Sequence, residues 1–242
     1  MSILLVGASG ATGRLLVENL LNRGVAVKAV VRSADRLPES VRSNPLLTVV
    51  EGSVLDFNDT QLADLVNGCS AIASCLGHNL TFRGMYGAPR KLVTDSVQRL
   101  CEAVKASQPK QTVRFVLMNT SGNRNRDLNE PISFGERLVV GLIRALVPPH
   151  PDNEQAADYL RTQIGANDQA VEWVAVRPDS LINEDAVSEY EIHPSPTRSA
   201  IFDPGKTSRI NVADFMARLA TDESLWQQWK GQMPVIYNQG FA

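Results

Sequence analysis

The stretch Ile3-Leu4-Leu5-Val6-Gly7-Ala8-Ser9-Gly10-Ala11-Thr12-Gly13 decides the fold. A short apolar run stops at Gly7, and Gly10 and Gly13 follow at intervals of three. Residues 11–23 then carry Leu15, Leu16, Leu20 and Leu21 at helical spacing until Gly24 stops them. A strand that turns through glycines into a helix is the opening of a βαβ unit. The glycines let the chain turn tightly, let an anion approach the main chain, and let the helix pack on the sheet. An anion held there faces the unpaired amides and positive dipole end of the helix. Alone, such a glycine pattern is weak; between a strand and a helix it predicts a dinucleotide pyrophosphate site. Gly7, Ala8, Ser9, Gly10, Ala11, Thr12 and Gly13 are its candidate residues.

Outward from this turn the chain keeps alternating. Strands are predicted at 26–31, 47–50, 71–76, 113–118 and 173–176, with a short helix from Asp59 toward Val66 and a long one from Met85 to Ala106. Helix-forming sequence fills 133–166, interrupted at Pro148-Pro149. The tail reads as a strand at 208–212, a helix at 214–221 and a last strand at 235–237. Strands alternating with helices imply parallel pairing with right-handed crossovers. The expected fold is α/β: a single doubly wound parallel-sheet Rossmann domain over residues 1–242, with helices on both faces. Its substrate-side elements are expected mainly from about 119–170 and 178–210. Ligands of such sheets bind beyond the carboxyl ends of the strands, which directs attention to the loops after Val6, Val31, Val50, Leu76, Met118 and Val176.

Composition narrows the partners. A formal charge of −2 argues against nucleic acid and acidic membrane surfaces. No apolar run approaches the roughly 20 residues of a membrane span. Residues 1–6 lack a basic stretch before them and run into the glycine turn, so they read as a strand and not as a leader. Cys69, Cys75 and Cys101 form no CxxC pair and leave one thiol over in any disulfide scheme. Reduced thiols in a cytoplasmic protein are the simplest reading. No two histidines or carboxylates show metal-ligand spacing, and no metal is expected.

The second loop bears on cofactor choice. NAD-specific proteins usually place an acidic residue at the end of the second strand to hold the ribose. Here the sequence is Val30-Val31-Arg32-Ser33-Ala34-Asp35-Arg36. Arg32 and Arg36 can hold a 2′-phosphate by charge-assisted hydrogen bonds, so NADP(H) is preferred over NAD(H). The other reading has both arginines solvated and Asp35 on the ribose. Asp56 follows the third strand, where it can accept from the adenine amino group or cap the next helix.

With these loops in place the chain resembles the NmrA-like branch of the atypical short-chain dehydrogenase/reductases, and within it the biliverdin reductase B type of flavin reductase. The likeness rests on residues 7–13, on Val31-Arg32-Ser33-Ala34-Asp35-Arg36-Leu37-Pro38, and on Cys75-Leu76-Gly77. It continues through Asn119-Thr120-Ser121, Val174-Ala175-Val176-Arg177-Pro178 and Ser208-Arg209-Ile210-Asn211-Val212-Ala213-Asp214-Phe215-Met216. The resemblance implies Arg32 and Arg36 at the 2′-phosphate, Gly77 beside the nicotinamide-side ribose, and Thr120 with the cofactor-binding residues. It implies Ser121 near the nicotinamide as a proton relay, the one catalytic candidate. Such reductases carry a histidine just after the sixth strand; here that stretch is Pro178-Asp179-Ser180, which speaks against a linear tetrapyrrole as substrate.

Many relatives use a Tyr-x-x-x-Lys pair, in which tyrosine protonates a carbonyl oxygen and lysine lowers its pKa. No tyrosine here has a lysine four residues on: Tyr86, Tyr159, Tyr190 and Tyr237 are followed by Arg90, Gln163, Pro194 and Phe241. That argues against ordinary alcohol dehydrogenase chemistry but allows hydride transfer to a small conjugated acceptor such as a flavin or quinone. Roughly where the pair belongs stand His150-Pro151-Asp152-Asn153-Glu154, with His150 read as an exposed loop histidine beside prolines and not as part of a replacement dyad. His78 and Asn79 border the same cleft, with His78 read as structural or solvated. Phe134, Leu138, Leu142, Ala145 and Leu146, widened by Val139 and Ile143, form an apolar stripe expected to pack on the sheet, with a lid or dimer surface as alternatives. The leading function is an NADPH-dependent reductase. The alternatives are a non-catalytic NADP(H)-binding redox sensor and a sugar-type epimerase or isomerase. The oligomeric state stays open.

Overall fold

A computed structural model describes residues 2–78 and 86–240. Five strands, β1 (Ser2–Val6), β2 (Ala26–Val31), β3 (Leu47–Glu51), β4 (Cys69–Ser74) and β5 (Val113–Met118), are joined by β6 (Val171–Pro178) in one parallel sheet. Between and after them come β7 (Ser180–Ile182), β8 (Tyr190–His193), β9 (Lys206–Ser208) and β10 (Val235–Asn238). The main sheet runs β3-β2-β1-β4-β5-β6-β10-β8, and β7 pairs with β9 apart from it. β10 is parallel to β6, but β8 closes the edge antiparallel to β10. The chain leaves β1 toward β2 and β3, then returns to β4 on the other side. The switch point therefore lies between β1 and β4, where the glycine turn sits.

Helices cover both faces. On one side α1 (Ala11–Asn22) packs near α7 (Arg209–Thr221) and α8 (Glu223–Trp229). Leu16, Val17, Leu20 and Leu21 of α1 are buried there, each stabilising the fold by about 1.5–3 kcal/mol. A four-residue helix, α2 (Glu39–Arg42), lies on the way to β3. On the other side are α3 (Asp59–Val66), α4 (Leu92–Ser107) and α6 (Pro149–Tyr159), with Leu62, Val97, Leu100 and Ala156 in the second core. α5 (Phe134–Leu146) precedes α6.

Several expectations shift. Met85 and Asn79 lie outside the described residues, and α4 begins only at Leu92, after Pro89. The expected strand at 208–212 is instead β9, ending at Ser208. The Ser208 side chain accepts the Asn211 N–H and so starts α7 at Arg209. Asp222, accepting from Ser224 and Leu225, nucleates α8, which the sequence reading missed. The apolar stripe of α5 does not pack on the sheet: Phe134, Leu138, Leu142 and Leu146 are 82, 69, 59 and 55% exposed. The helix is set by its own Ser133/Glu136 capping box and by Arg144, and not by burial of that stripe.

Candidate functional site

At the switch point lies a cleft of about 560 Å³ that gathers the loops after β1, β2, β3 and β4. Gly7, Ser9 and Gly10 form its floor, Arg32 and Arg36 one end, Asp56 a side, and Gly77 and His78 the other end. Gly7 has φ +78, and a Cβ there would lie 2.5 Å from the Cys75 carbonyl carbon. A Cβ on Gly13 would sit 2.1 Å from the Gly7 oxygen, so only glycine lets α1 start this close to the turn. Gly10 caps α1 without any side chain, and the first turn holds no acidic residue. The amides at this helix end therefore open onto the cleft with no protein anion to satisfy them, which suits a pyrophosphate. Ala8 and Thr12 are buried behind the turn, and Ala11 is exposed on the first helical turn; none of the three lines the cleft.

Arg32 and Arg36 are both exposed and form no ion pair among the described residues. Asp35, the competing ribose ligand, instead pairs with Arg42 at 2.9 Å and is absent from the cleft wall. Asp56 is left free for the cleft because Asn58 caps α3, its side chain accepting from the Gln61 N–H. Cys75 also borders the cleft, but burial pushes its thiol up to about 12, which removes it as a nucleophile near neutral pH. Cys69 and Cys101 are free and buried.

The expected substrate-side residues stand on the loop after β5. Asn119 N–H and Ser121 N–H donate to the carbonyls of Val176 and Pro178, at 2.7 and 2.9 Å, extending the β5–β6 register into the loop. Thr120 and Ser121 do not line the cofactor cleft. Ser121 is 5% exposed, with its hydroxyl beside the Asp179 carboxylate. Burial raises the pKa of that carboxyl, although it accepts from the N–H groups of Ser180 and Gly205 at 2.9 and 3.1 Å. Beneath the loop, Arg177 is fully buried. Its guanidinium donates to Glu130 at 2.7 Å and to the carbonyls of Asn123, Met233 and Pro194.

The helix resumes already at Pro149, so His150 stands in its first turn and not in an exposed loop. Asp152 reaches from α6 to the start of α4, accepting the N–H groups of Val93 and Thr94 at 2.9 Å each. It also meets His78, so that histidine is held in the wall. His150 lies one helical turn from Glu154, with Nε2 3.4 Å from Oε1. Glu154 accepts three hydrogen bonds from Arg144 of α5, at 2.6–3.0 Å. The sequence carried only the four-residue spacing of His150 and Glu154 as a signal. Nothing local announced Arg144–Glu154 or Arg177–Glu130, because chain reversals bring those pairs together. Among the described residues no group of three or more His, Cys, Asp or Glu could hold a metal ion. No helix among them is long and apolar enough to cross a membrane. A second hollow of about 510 Å³ is lined by Tyr190, Arg218, Trp229 and Gln239.

Comparison with known proteins places this geometry. The chain is 37% identical over 202 residues to an uncharacterized chloroplastic protein of Arabidopsis thaliana, a match covering 81% of this chain and 64% of that protein's length. Its fold is similar to that of a wide-type short-chain dehydrogenase/reductase from Veillonella parvula in complex with NADP. That similarity has a TM-score of 0.71 and 15% identity, over 99% of this chain and 95% of the other. It is likewise similar to an anaerobilin reductase from Escherichia coli O157:H7, with a TM-score of 0.69 and 18% identity, over 100% and 99% of the two chains. The described NAD(P)H-binding family matches residues 7–223, from the first glycine of the turn to the start of α8. The chain therefore belongs to the NAD(P)H-binding family of Rossmann-fold proteins.

Proposed function

We propose that this protein is an NADPH-dependent reductase that passes hydride to a small conjugated acceptor such as a flavin or quinone, without a Tyr-Lys pair. One observation carries the reading: the uncapped amino end of α1 opens onto a cleft lined also by two exposed arginines that form no ion pair among the described residues. The amides of the Gly7–Gly10 turn hold the pyrophosphate, and Arg32 and Arg36 hold the 2′-phosphate. Asp56 takes the adenine edge, and Gly77, with no side chain, admits the nicotinamide-side ribose. Bound there, NADPH supplies the hydride. The chain's task is to hold the nicotinamide and the acceptor face to face, which removes most of the orientational part of the barrier. Thr120 and Ser121, at the end of the neighbouring strand, border the acceptor. A conjugated ring takes hydride without a strong acid at its oxygen, so the missing tyrosine is no obstacle. The E. coli anaerobilin reductase supports a conjugated acceptor, but Pro178-Asp179-Ser180 turns the choice away from a linear tetrapyrrole. Three reduced cysteines suit a reducing compartment such as the cytoplasm.

The test is a titration with NADPH and with NADH, followed by absorbance at the nicotinamide band after adding flavin or quinone. Tight NADPH binding with acceptor-dependent oxidation supports the reductase. Tight binding with no oxidation by any acceptor moves the function to a redox sensor.

A further inference from the structure

We propose that His150 delivers the proton that completes acceptor reduction, with Glu154 and Arg144 as the residues that position it; this rests on the reductase reading above. The histidine lies in the first turn of α6, on the side away from Asp152, which is committed to α4 and His78. A Cβ on Gly122 would lie 3.6 Å from Cε1 of His150 and 3.8 Å from the Thr120 hydroxyl. The imidazole therefore rests close to the loop that leaves β5. The same helix is tied to that loop by Asn119, whose side-chain amide donates to the Asn153 carbonyl at 2.9 Å.

Nε2 of His150 is buried against Glu154, while the side chain keeps 12% exposure. Nδ1 makes no hydrogen bond among the described residues and is the ring atom open to a ligand. Glu154 is a fixed anion: Arg144 grips both of its oxygens from α5. A carboxylate 3.4 Å behind Nε2 holds the ring from that side and leaves Nδ1 toward the loop. The groups facing the ring are Glu154 on its own helix and Arg144 on α5. Loop 119–123, Asn-Thr-Ser-Gly-Asn, contributes no ionisable side chain. Ser121, by contrast, is more deeply buried, at 5% exposure.

The acceptor gains two electrons and a hydrogen as hydride, NADPH becoming NADP+, and is left as an anion. The Nδ1–H bond of protonated His150 breaks, its proton passes to that anion, and the neutral ring takes a proton back from water. Glu154 and Arg144 touch neither reactant.

The experiment compares wild type, His150→Gln, Glu154→Gln and Ser121→Ala. It follows NADPH binding by fluorescence, single-turnover oxidation with flavin and with quinone, and the ring resonances of the three histidines. His150→Gln is expected to bind NADPH within twofold of wild type, to lose roughly 100-fold in the oxidation rate, and to regain part of it with added imidazole. Glu154→Gln is expected to lower the rate about fivefold with little change in acceptor KM, short of general acid removal. In the NADP+-loaded wild type, oxidised flavin or quinone is expected to move the His150 resonances and leave those of His193 in place. A His150→Gln rate within twofold of wild type, or His150 resonances that ignore the acceptor, overturns the proposal while the reductase reading stands. A wild type that binds NADPH and reduces nothing overturns both.

Discussion

His78 and Asp152 meet at 2.7 Å with both side chains almost sealed from solvent, joining the end of the cofactor cleft to the start of the helix beside it. Asp152 uses its remaining acceptor capacity on the Val93 and Thr94 amides. One carboxylate thus caps α4 and fixes a wall residue of the cleft.

Asp152→Ala removes the acceptor of two helix amides and the carboxylate that meets the buried His78 ring. The expected loss is about 2–4 kcal/mol, read as a lower urea midpoint with an unchanged slope. Weaker NADPH binding should accompany it, because Leu92 and His78 both line the cleft. A midpoint within experimental scatter of wild type would refute the capping role.

Arg32→Ala and Arg36→Ala are each expected to raise the NADPH Kd roughly tenfold, about 1.4 kcal/mol, and to leave the NADH Kd unchanged. Isothermal titration at two salt concentrations checks this, since the lost contact is exposed and therefore screened. Equal effects on both cofactors would remove the 2′-phosphate from these arginines.

Gly7→Ala sets a Cβ 2.5 Å from the Cys75 backbone, at φ +78. The turn must move, at about 1–3 kcal/mol of stability, and cofactor binding should fall below detection. Gly24→Ala is the control: its φ is +73, but a Cβ there meets nothing within 4 Å. Its effect should be confined to stability, with NADPH affinity intact.

Glu154 carries a pH signature. Burial alone would raise its pKa, but His150 and Arg144 outweigh that and hold it at about 2, below the ordinary 4.5. A depressed carboxyl contributes stability that is fully present above 4.5 and is lost as pH falls through 2. Glu154→Gln should therefore be less stable than wild type by roughly 1–2 kcal/mol at pH 7, allowing for solvent screening. The gap should narrow between pH 4.5 and 2, as chemical denaturation at a series of pH values would show. A gap that widens on acidification reverses the assignment.

The glycine turn and the cleft it opens were legible because their signals are local. Gly7, Gly10 and Gly13 must be close in sequence to make the turn, and Arg32 must follow β2 directly to line the same cleft. The side-chain pairs around the loop after β5 were not, because they are made by tertiary folding. Arg144 and Glu154 meet across the Val147-Pro148 break between α5 and α6, and Asp152 serves amides 59 residues away. Setting His150 in a loop because of its neighbouring prolines was the main error, since the helix resumes already at Pro149. Pro149 stands in the first turn of α6, where a missing N–H breaks no helical bond. The α5 stripe misled for another reason: apolar periodicity reports a face, and not what covers it.

Arg177 has a consequence for redesign. Its guanidinium fastens the chain at Asn123, Glu130, Pro194 and Met233 from below, and arginine keeps its charge at any working pH. The strands' upper loops are thus riveted at their roots, while Thr120 and α5 ride above the rivet. Loop tips can be exchanged for others of different shape with the roots untouched, so libraries aimed at new acceptors should vary the tips and leave position 177 alone.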